Sequence, residues 1–389
     1  MDKSQKKIFG ACSYGFFING ITALVIGAIM PMILMDLNMG YDDGGMLLSF
    51  QSIGNLLASF LGGIISVYLG RKNAIVALSS MTAIGFITMS IIRSPALLIV
   101  PFFLTGIGRG SVTNMSNTLV NEIGDGRPGP LNILHTFFAV GAFMAPFFAS
   151  WSLGKGLSWQ FVLRIVSMFA MFMVIIFLAT DIGNIRIQNR SKDRENKISF
   201  DFLKNLDFYI SSGILFFYVG VEYAVNGWIV TYLRDTGIMT TVLAQKVLSI
   251  LWIVIIFGRL FSAYISRTIN KKTILLISSI GTMVFFTLFI ISTDIWAIIA
   301  CIFGLGFSLS GIYPTTISNV GDVLKKSSLA MGTLLGLAGL GGILMPYITG
   351  AIAEKIGIAG GMLAIGIAVI FMFLFTLANR LRPNELPGQ

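Results

Sequence analysis

The sequence predicts an all-α polytopic membrane protein with twelve transmembrane helices in two six-helix bundles. Three observations lead there. The 389-residue chain can be cut into about twelve apolar segments of roughly 19–28 residues, and crossing about 30 Å of hydrocarbon takes about 20 helical residues. It is 55% hydrophobic and only 11% charged, with a mean hydropathy of +0.86, too few charges to cover a soluble protein of this length. Its second half repeats the first at an offset near 200.

The expected spans follow in order. Span 8–35 comes after a head, Met1–Lys7, that holds three lysines. It is too long for a signal-peptide core, and no cleavable signal is expected. Spans 46–69 and 74–92 flank a short basic turn, Gly70-Arg71-Lys72. Span 96–119 carries Arg109, span 131–153 carries His135, and span 160–182 closes the first half. The stretch 184–206 mixes charges of both signs and reads as a solvated linker. The second half supplies spans 208–233, 244–266, 272–292, 295–319, 328–353 and 359–381. Tyr313-Pro314 marks a kink in the tenth, because proline removes a helix hydrogen bond. The expected division is therefore a first bundle over 1–183, a cytoplasmic linker over 184–206 and a second bundle over 207–389. Abundant small residues, 43 glycines among them, suit close helix packing in lipid.

Charge sets the expected orientation. With the N-terminus inside, cytoplasmic segments hold 19 of the 27 Lys and Arg. The outer side holds only Arg93, Lys155, Arg234, Lys246 and Lys355. That bias predicts both termini in the cytoplasm, in a cell inner membrane. It also accounts for the net charge of +10 without a nucleic-acid partner. Cys12 and Cys301 both fall inside spans, so neither a disulfide framework nor zinc spacing is present. No metal or cofactor is expected.

The repeat is carried by particular residues. Gly141 and Pro146 match Gly341 and Pro346 with the same spacing, and Ser66, Arg71 and Lys72 match Ser266, Lys271 and Lys272. Gly106, Gly108 and Asn121 match Gly304, Gly306 and Asn319. Parallel six-plus-six repeats predict two bundles rocking about a midplane site.

These features make the chain resemble the major facilitator superfamily. The stretch from Gly63 to Lys72 (GIISVYLGRK) is similar to that superfamily's cytoplasmic gating motif, with Val67 where an Asp is usual. The resemblance implies gating roles for Gly70, Arg71 and Lys72 and, in the second copy, for Gly258, Arg259 and Arg267. Within the superfamily, the seventh span (YVGVEYAVNGWIVTYL), the eighth (GRLFSAYISR) and the tenth (GLGFSLSGIYPTTIS) resemble the fucose permease-like branch, which includes bacterial glucose/mannose:proton symporters. The start of the fifth span, Leu131 to Phe137, resembles that branch's L-N-x-x-Q-T-F, and His135 stands where the resemblance implies a sugar-binding Gln. The permeases' proton-linked acids in spans one and four fall near Gly27 and Thr113, neither of which titrates. Coupling by that route is not implied.

The polar groups in the spans are the candidate site. Of the 17 acids, only Glu222 lies deep in a span. A charge there costs several kcal/mol unless paired, hydrated or protonated. Glu222 is either a proton site or a fixed hydrogen-bond anchor. Arg109 needs a carboxylate, carbonyls or water; it holds Glu222, binds an anionic substrate or packs between helices. Arg259 and Arg164 read as structural. His135, the single histidine, either faces interfacial water or lines the site and relays protons. Asn114, Asn117, Asn226, Trp228, Tyr313 and Thr316 complete the set, since sugars need amides for their hydroxyls and an aromatic face for their CH surface. Trp228 serves equally well as an interfacial anchor.

The expected function is secondary transport of a small polar solute, most simply a hexose, by a monomer in the bilayer, with Glu222 and His135 as the places for a coupled proton. The alternative in the same class is export of drugs or amphipathic metabolites. That of another class is a non-transporting sensor. An enzyme is disfavoured, because no P-loop, metal cluster or nucleophile–His–acid set is present.

Overall fold

The computed structural model describes residues 1–124, 128–182, 200–326 and 328–382. Most of the expected linker, including Arg186, Arg190 and Lys192, lies outside the described residues, as does Arg127. Thirteen α-helices run in order among them: α1 Lys3–Asp36, α2 Tyr41–Leu69, α3 Arg71–Met89, α4 Ile99–Ile123, α5 Pro128–Gly154, α6 Trp159–Ala179, α7 Leu206–Asp235, α8 Thr241–Ile265, α9 Lys271–Ile291, α10 Ile295–Ser310, α11 Ile312–Asn319, α12 Gly321–Lys326 and α13 Ser328–Leu381.

Ten helical stretches among the described residues are long and apolar enough to cross a membrane. One joins α10 and α11, and the last is most of α13. The 54-residue α13 is really two legs, because Ile356 and Gly357 leave helical geometry and Gly357 takes φ 82°. That left-handed conformation favours glycine. It sits in the gap between the eleventh and twelfth expected spans. With the legs counted separately and the 29-residue α2 added, each of the twelve expected segments has its helix. The tenth is broken between Ser310 and Ile312. Pro314 explains the break: it offers no N–H to the Ser310 carbonyl one turn earlier, and its ring crowds that carbonyl.

The chain divides into two compact units. The first comprises residues 1–190 together with 226–252, and the second 191–225 with 253–389. In the first, α1 packs on α4, α5 and α6, while α3 packs on α4 and α6, and α2 on α4. The end of α7 and the start of α8 join this unit through specific contacts. Gly27 lies directly on the Asn226 carbonyl, and Gly227 lies against Leu48. Trp228 meets the edge of Tyr41 with ring centroids 6.1 Å apart, and the Tyr41 hydroxyl donates to Asp235 at 2.9 Å. Gln245 Nε2 donates to the Ala28 carbonyl at 2.7 Å.

In the second unit, α9 packs on α10, α11 and α13. Its contacts repeat those of the first. A Cβ at Gly141 on α5 would fall on the Phe17 carbonyl of α1, and one at Gly341 on α13 would fall on the Phe216 carbonyl of α7. The two pairs stand 200 and 199 residues apart. Gly108 on α4 meets the Thr82 hydroxyl of α3, and Gly281 on α9 meets the Ser308 hydroxyl of α10. Here the glycine and the hydroxyl have changed places between copies, yet the contact stays. Lipid gives little hydrophobic drive to helix association, so backbones brought together over small residues supply the packing energy.

Candidate functional site

The second unit contains a buried polar cluster built on α7, α8 and α11. Glu222 is a turn beyond Tyr218 on α7, so the two share one face. The Tyr218 side chain hydrogen-bonds both Glu222 and Arg259 of α8, and Arg259 also acts on Glu222 electrostatically. Tyr313, at the start of α11, lies within electrostatic reach of Glu222, Arg259 and Tyr223. Its ring is 6.0 Å from that of Tyr218, centroid to centroid. Tyr218 is 1% exposed, whereas Glu222, Arg259 and Tyr313 each keep some accessible surface. Arg259 Nε is buried without a hydrogen-bond partner among the described residues. A carboxylate in a span is tolerated when a cation and a donor compensate it, and here both come from the same unit. The cation serving Glu222 is Arg259.

The first unit holds a neutral hydrogen-bond node. Asn19 Nδ2 of α1 donates to the Arg109 carbonyl at 2.9 Å and to Thr113 Oγ1 at 2.8 Å. Thr113 Oγ1 in turn donates to the Arg109 carbonyl at 3.0 Å. Thr113 is thereby engaged as a hydroxyl, and Gly27 has no room for a Cβ beside the Asn226 carbonyl. The two positions aligned with permease acids thus serve helix contacts in this chain. Asn114 and Asn117 lie on α4 and are part-buried; Asn117 Oδ1 has no partner among the described residues. His135 on α5 is exposed and stands edge-on to Phe16, centroids 5.2 Å apart. Asn226 Oδ1 accepts the Trp252 indole N–H at 3.1 Å, and Trp252 packs against Phe138.

Two of the candidates are packing elements. Trp228 is fully buried against Tyr41 and Gly44. Thr316 is fully buried and returns its hydroxyl to the Ile312 carbonyl of its own helix at 2.7 Å. The sequence reading also passed over Asn19, Tyr218, Tyr223 and Trp252. For Tyr218 a signal existed: a phenol one turn before the only deep acid.

The basic turns sit at helix ends. Gly70 takes φ 75° between α2 and α3, a turn that suits glycine. Arg71 then forms a two-pronged ion pair with Glu122 at the end of α4, at 2.6 and 3.0 Å. Lys72 opens α3 beside it. In the second copy Lys271 donates to the Ser318 carbonyl at 2.9 Å, Gly258 lies on the Ser310 hydroxyl, and Arg267 is exposed. At other helix ends of the first unit, Asp36 Oδ2 accepts from Arg93, the Trp159 indole and Gln160 at 2.9, 3.0 and 2.9 Å.

Repeated helix sets of this kind, long and apolar enough to cross a membrane, mark a multi-pass membrane protein. A family profile described as Major Facilitator Superfamily matches residues 12–324 and 268–389. The chain belongs to the Major Facilitator Superfamily and is a membrane transporter. It is 22% identical to "Bypass of stop codon protein 6" of Saccharomyces cerevisiae, over 97% of this chain and 82% of that one. It is also 22% identical to "Sodium-dependent glucose transporter 1" of Danio rerio, over 85% of this chain and 62% of that one. Among solved structures, a point mutant of the nucleoside transporter NupG superposes with a TM-score of 0.76 at 18% identity, covering 97% of this chain and 99% of that one. At that identity the likeness is one of fold.

Proposed function

We propose that the protein moves a small neutral polar solute, most simply a hexose or related sugar, by alternating access across a cytoplasmic membrane in which both termini face the cytoplasm, with Glu222 as the proton-linked group. The observation that carries this reading is the Glu222–Tyr218–Arg259 cluster. A carboxylate deep in a span, compensated by its own arginine and still partly accessible, can take up and release a proton without leaving a lone charge in the membrane. Because Arg259 is engaged with Glu222, the cluster does not demand an anionic solute. In the first unit Asn114, Asn117 and Asn226 offer the amides that hydroxylated rings require, with His135 on α5, and in the second unit Tyr313 offers an aromatic ring. Two similar proteins support the same class by what their names say they carry: glucose is a sugar, and nucleosides contain one.

The test is ligand-dependent thermal stability of the purified protein against hexoses, deoxyhexoses, sugar acids, nucleosides and lipophilic cations. A ligand at 100 times its Kd stabilises by about 2.7 kcal/mol when it binds only the folded state. Stabilisation by a neutral sugar supports the proposal. Stabilisation by sugar acids alone transfers recognition to Arg109, and by lipophilic cations alone makes the protein an exporter of amphipathic compounds.

A further inference from the structure

We infer that Tyr218 is a positioning residue that keeps Arg259 compensated in both protonation states of Glu222. The inference rests on the proposed role of Glu222 and deepens it. The phenol is buried and hydrogen-bonds both members of the pair. A phenolic hydroxyl is at once donor and acceptor, and phenylalanine of the same shape is neither. With Glu222 ionised, the Tyr218 O–H donates to the carboxylate and its oxygen accepts from the guanidinium. When a proton from the aqueous side binds one Glu222 oxygen, the phenol O–H goes on donating to the other, carbonyl oxygen, and the Tyr218 oxygen goes on accepting from the guanidinium. No covalent bond to carbon changes, and the pair goes from neutral overall to one positive charge. Through both states Arg259 keeps an acceptor in Tyr218. That matters because its buried Nε already has none among the described residues, and a second orphaned donor on a part-buried guanidinium would oppose protonation of its neighbour. Tyr313, which also reaches Glu222 electrostatically, is a phenol as well. Arg259 is therefore the cation whose solvation decides whether Glu222 can be neutralised.

The variants are Tyr218→Phe, Glu222→Gln and a Tyr218→Phe/Glu222→Gln double, in proteoliposomes with radiolabelled glucose as the probe. Two rates are read: accumulation driven by an imposed pH gradient, and equilibrium exchange with no gradient. Tyr218→Phe is expected to lower accumulation about tenfold, as one charge-assisted hydrogen bond implies, while exchange is preserved. The double variant is expected to match Glu222→Gln. Accumulation unchanged in Tyr218→Phe, or accumulation and exchange falling in parallel, overturns the inference. If the wild type moves no glucose in either assay, the sugar reading fails and infrared spectroscopy decides the role of Tyr218 separately. A carboxylic C=O band that disappears in Glu222→Gln is expected to be displaced in Tyr218→Phe. A band that does not move, or the absence of any Glu222-dependent band wherever the protein stays folded, overturns it.

Discussion

Replacing Gly341 with alanine tests whether the two halves are held by the same crossing. On α13 the added Cβ would coincide with the Phe216 carbonyl of α7, and at Gly141 on α5 it would coincide with the Phe17 carbonyl of α1. Neither neighbour is a flexible side-chain end that can swing away. Each is helix backbone, so the helices must part by roughly 1 Å to restore van der Waals separation. Overpacking of this kind costs about 1–3 kcal/mol. Against it stands the gain of about 1 kcal/mol from replacing a helical glycine with alanine. Gly332, nine residues earlier on the same helix, has open space where an added Cβ would stand, with nothing within 4 Å, so Gly332→Ala isolates that gain. At about 1–2 °C per kcal/mol for a chain of this length, Gly341→Ala and Gly141→Ala should each melt a few degrees below Gly332→Ala, which should leave the apparent Tm unchanged or raise it. The assay is a thermal melt of the detergent-purified protein, read by thiol-reactive dye or by the monodisperse fraction after heating. A Gly341→Ala melt that matches Gly332→Ala would refute the crossing as the source of stability. Opposite signs at 141 and 341 would refute the structural repeat.

Three further outcomes follow from named contacts. Glu222→Gln should abolish accumulation driven by a pH gradient while sparing counterflow, and unchanged accumulation removes Glu222 as the coupling site. Asp36→Ala should destabilise by about 2 kcal/mol, mostly by orphaning the buried Trp159 and Gln160 donors. Its pair with Arg93 contributes little, because Arg93 is 64% exposed. The Trp emission spectrum and Tm report this change, and an unaltered melt contradicts the assignment. Arg71→Glu and Glu122→Arg should each impair transport more than stability, since the two side chains are 31% and 29% exposed; a part-exposed pair is worth about 1 kcal/mol at most. The double charge reversal should restore rate, and failure to do so means that the pair does not act as a unit.

Much of the fold was legible because its rules are local. A segment in hydrocarbon must satisfy its own backbone, so apolar length alone located the helices. Pro314 announced the break that ends α10 at Ser310, and the turn at Gly70 followed from its glycine and the basic pair after it. The Gly141/Gly341 match was visible as a spacing, although what each glycine touches was not. The site was legible only in part. Depth along a span singled out Glu222, because depth is a count of residues. Its partner was not found by counting: Arg259 lies on the next helix, and spacing says which face a residue takes but not which residue on another helix meets it. The burial of Trp228 was hidden for the same reason. The sequence left it open between a solute contact and an interfacial anchor, and Tyr41 and Gly44 pack against it.

By itself the sequence determined that this chain is a helical membrane protein with a doubled architecture and one deep acid, since helix formation in lipid and internal repetition are both written along the chain. Only the tertiary structure decided that Arg259 and Tyr218 compensate that acid, that Gly27 and Thr113 are used up in helix contacts, and that the end of α7 belongs with α1 and α2. Those outcomes depend on side chains far apart in sequence meeting at distances of a few ångströms, and no local rule fixes which of them meet.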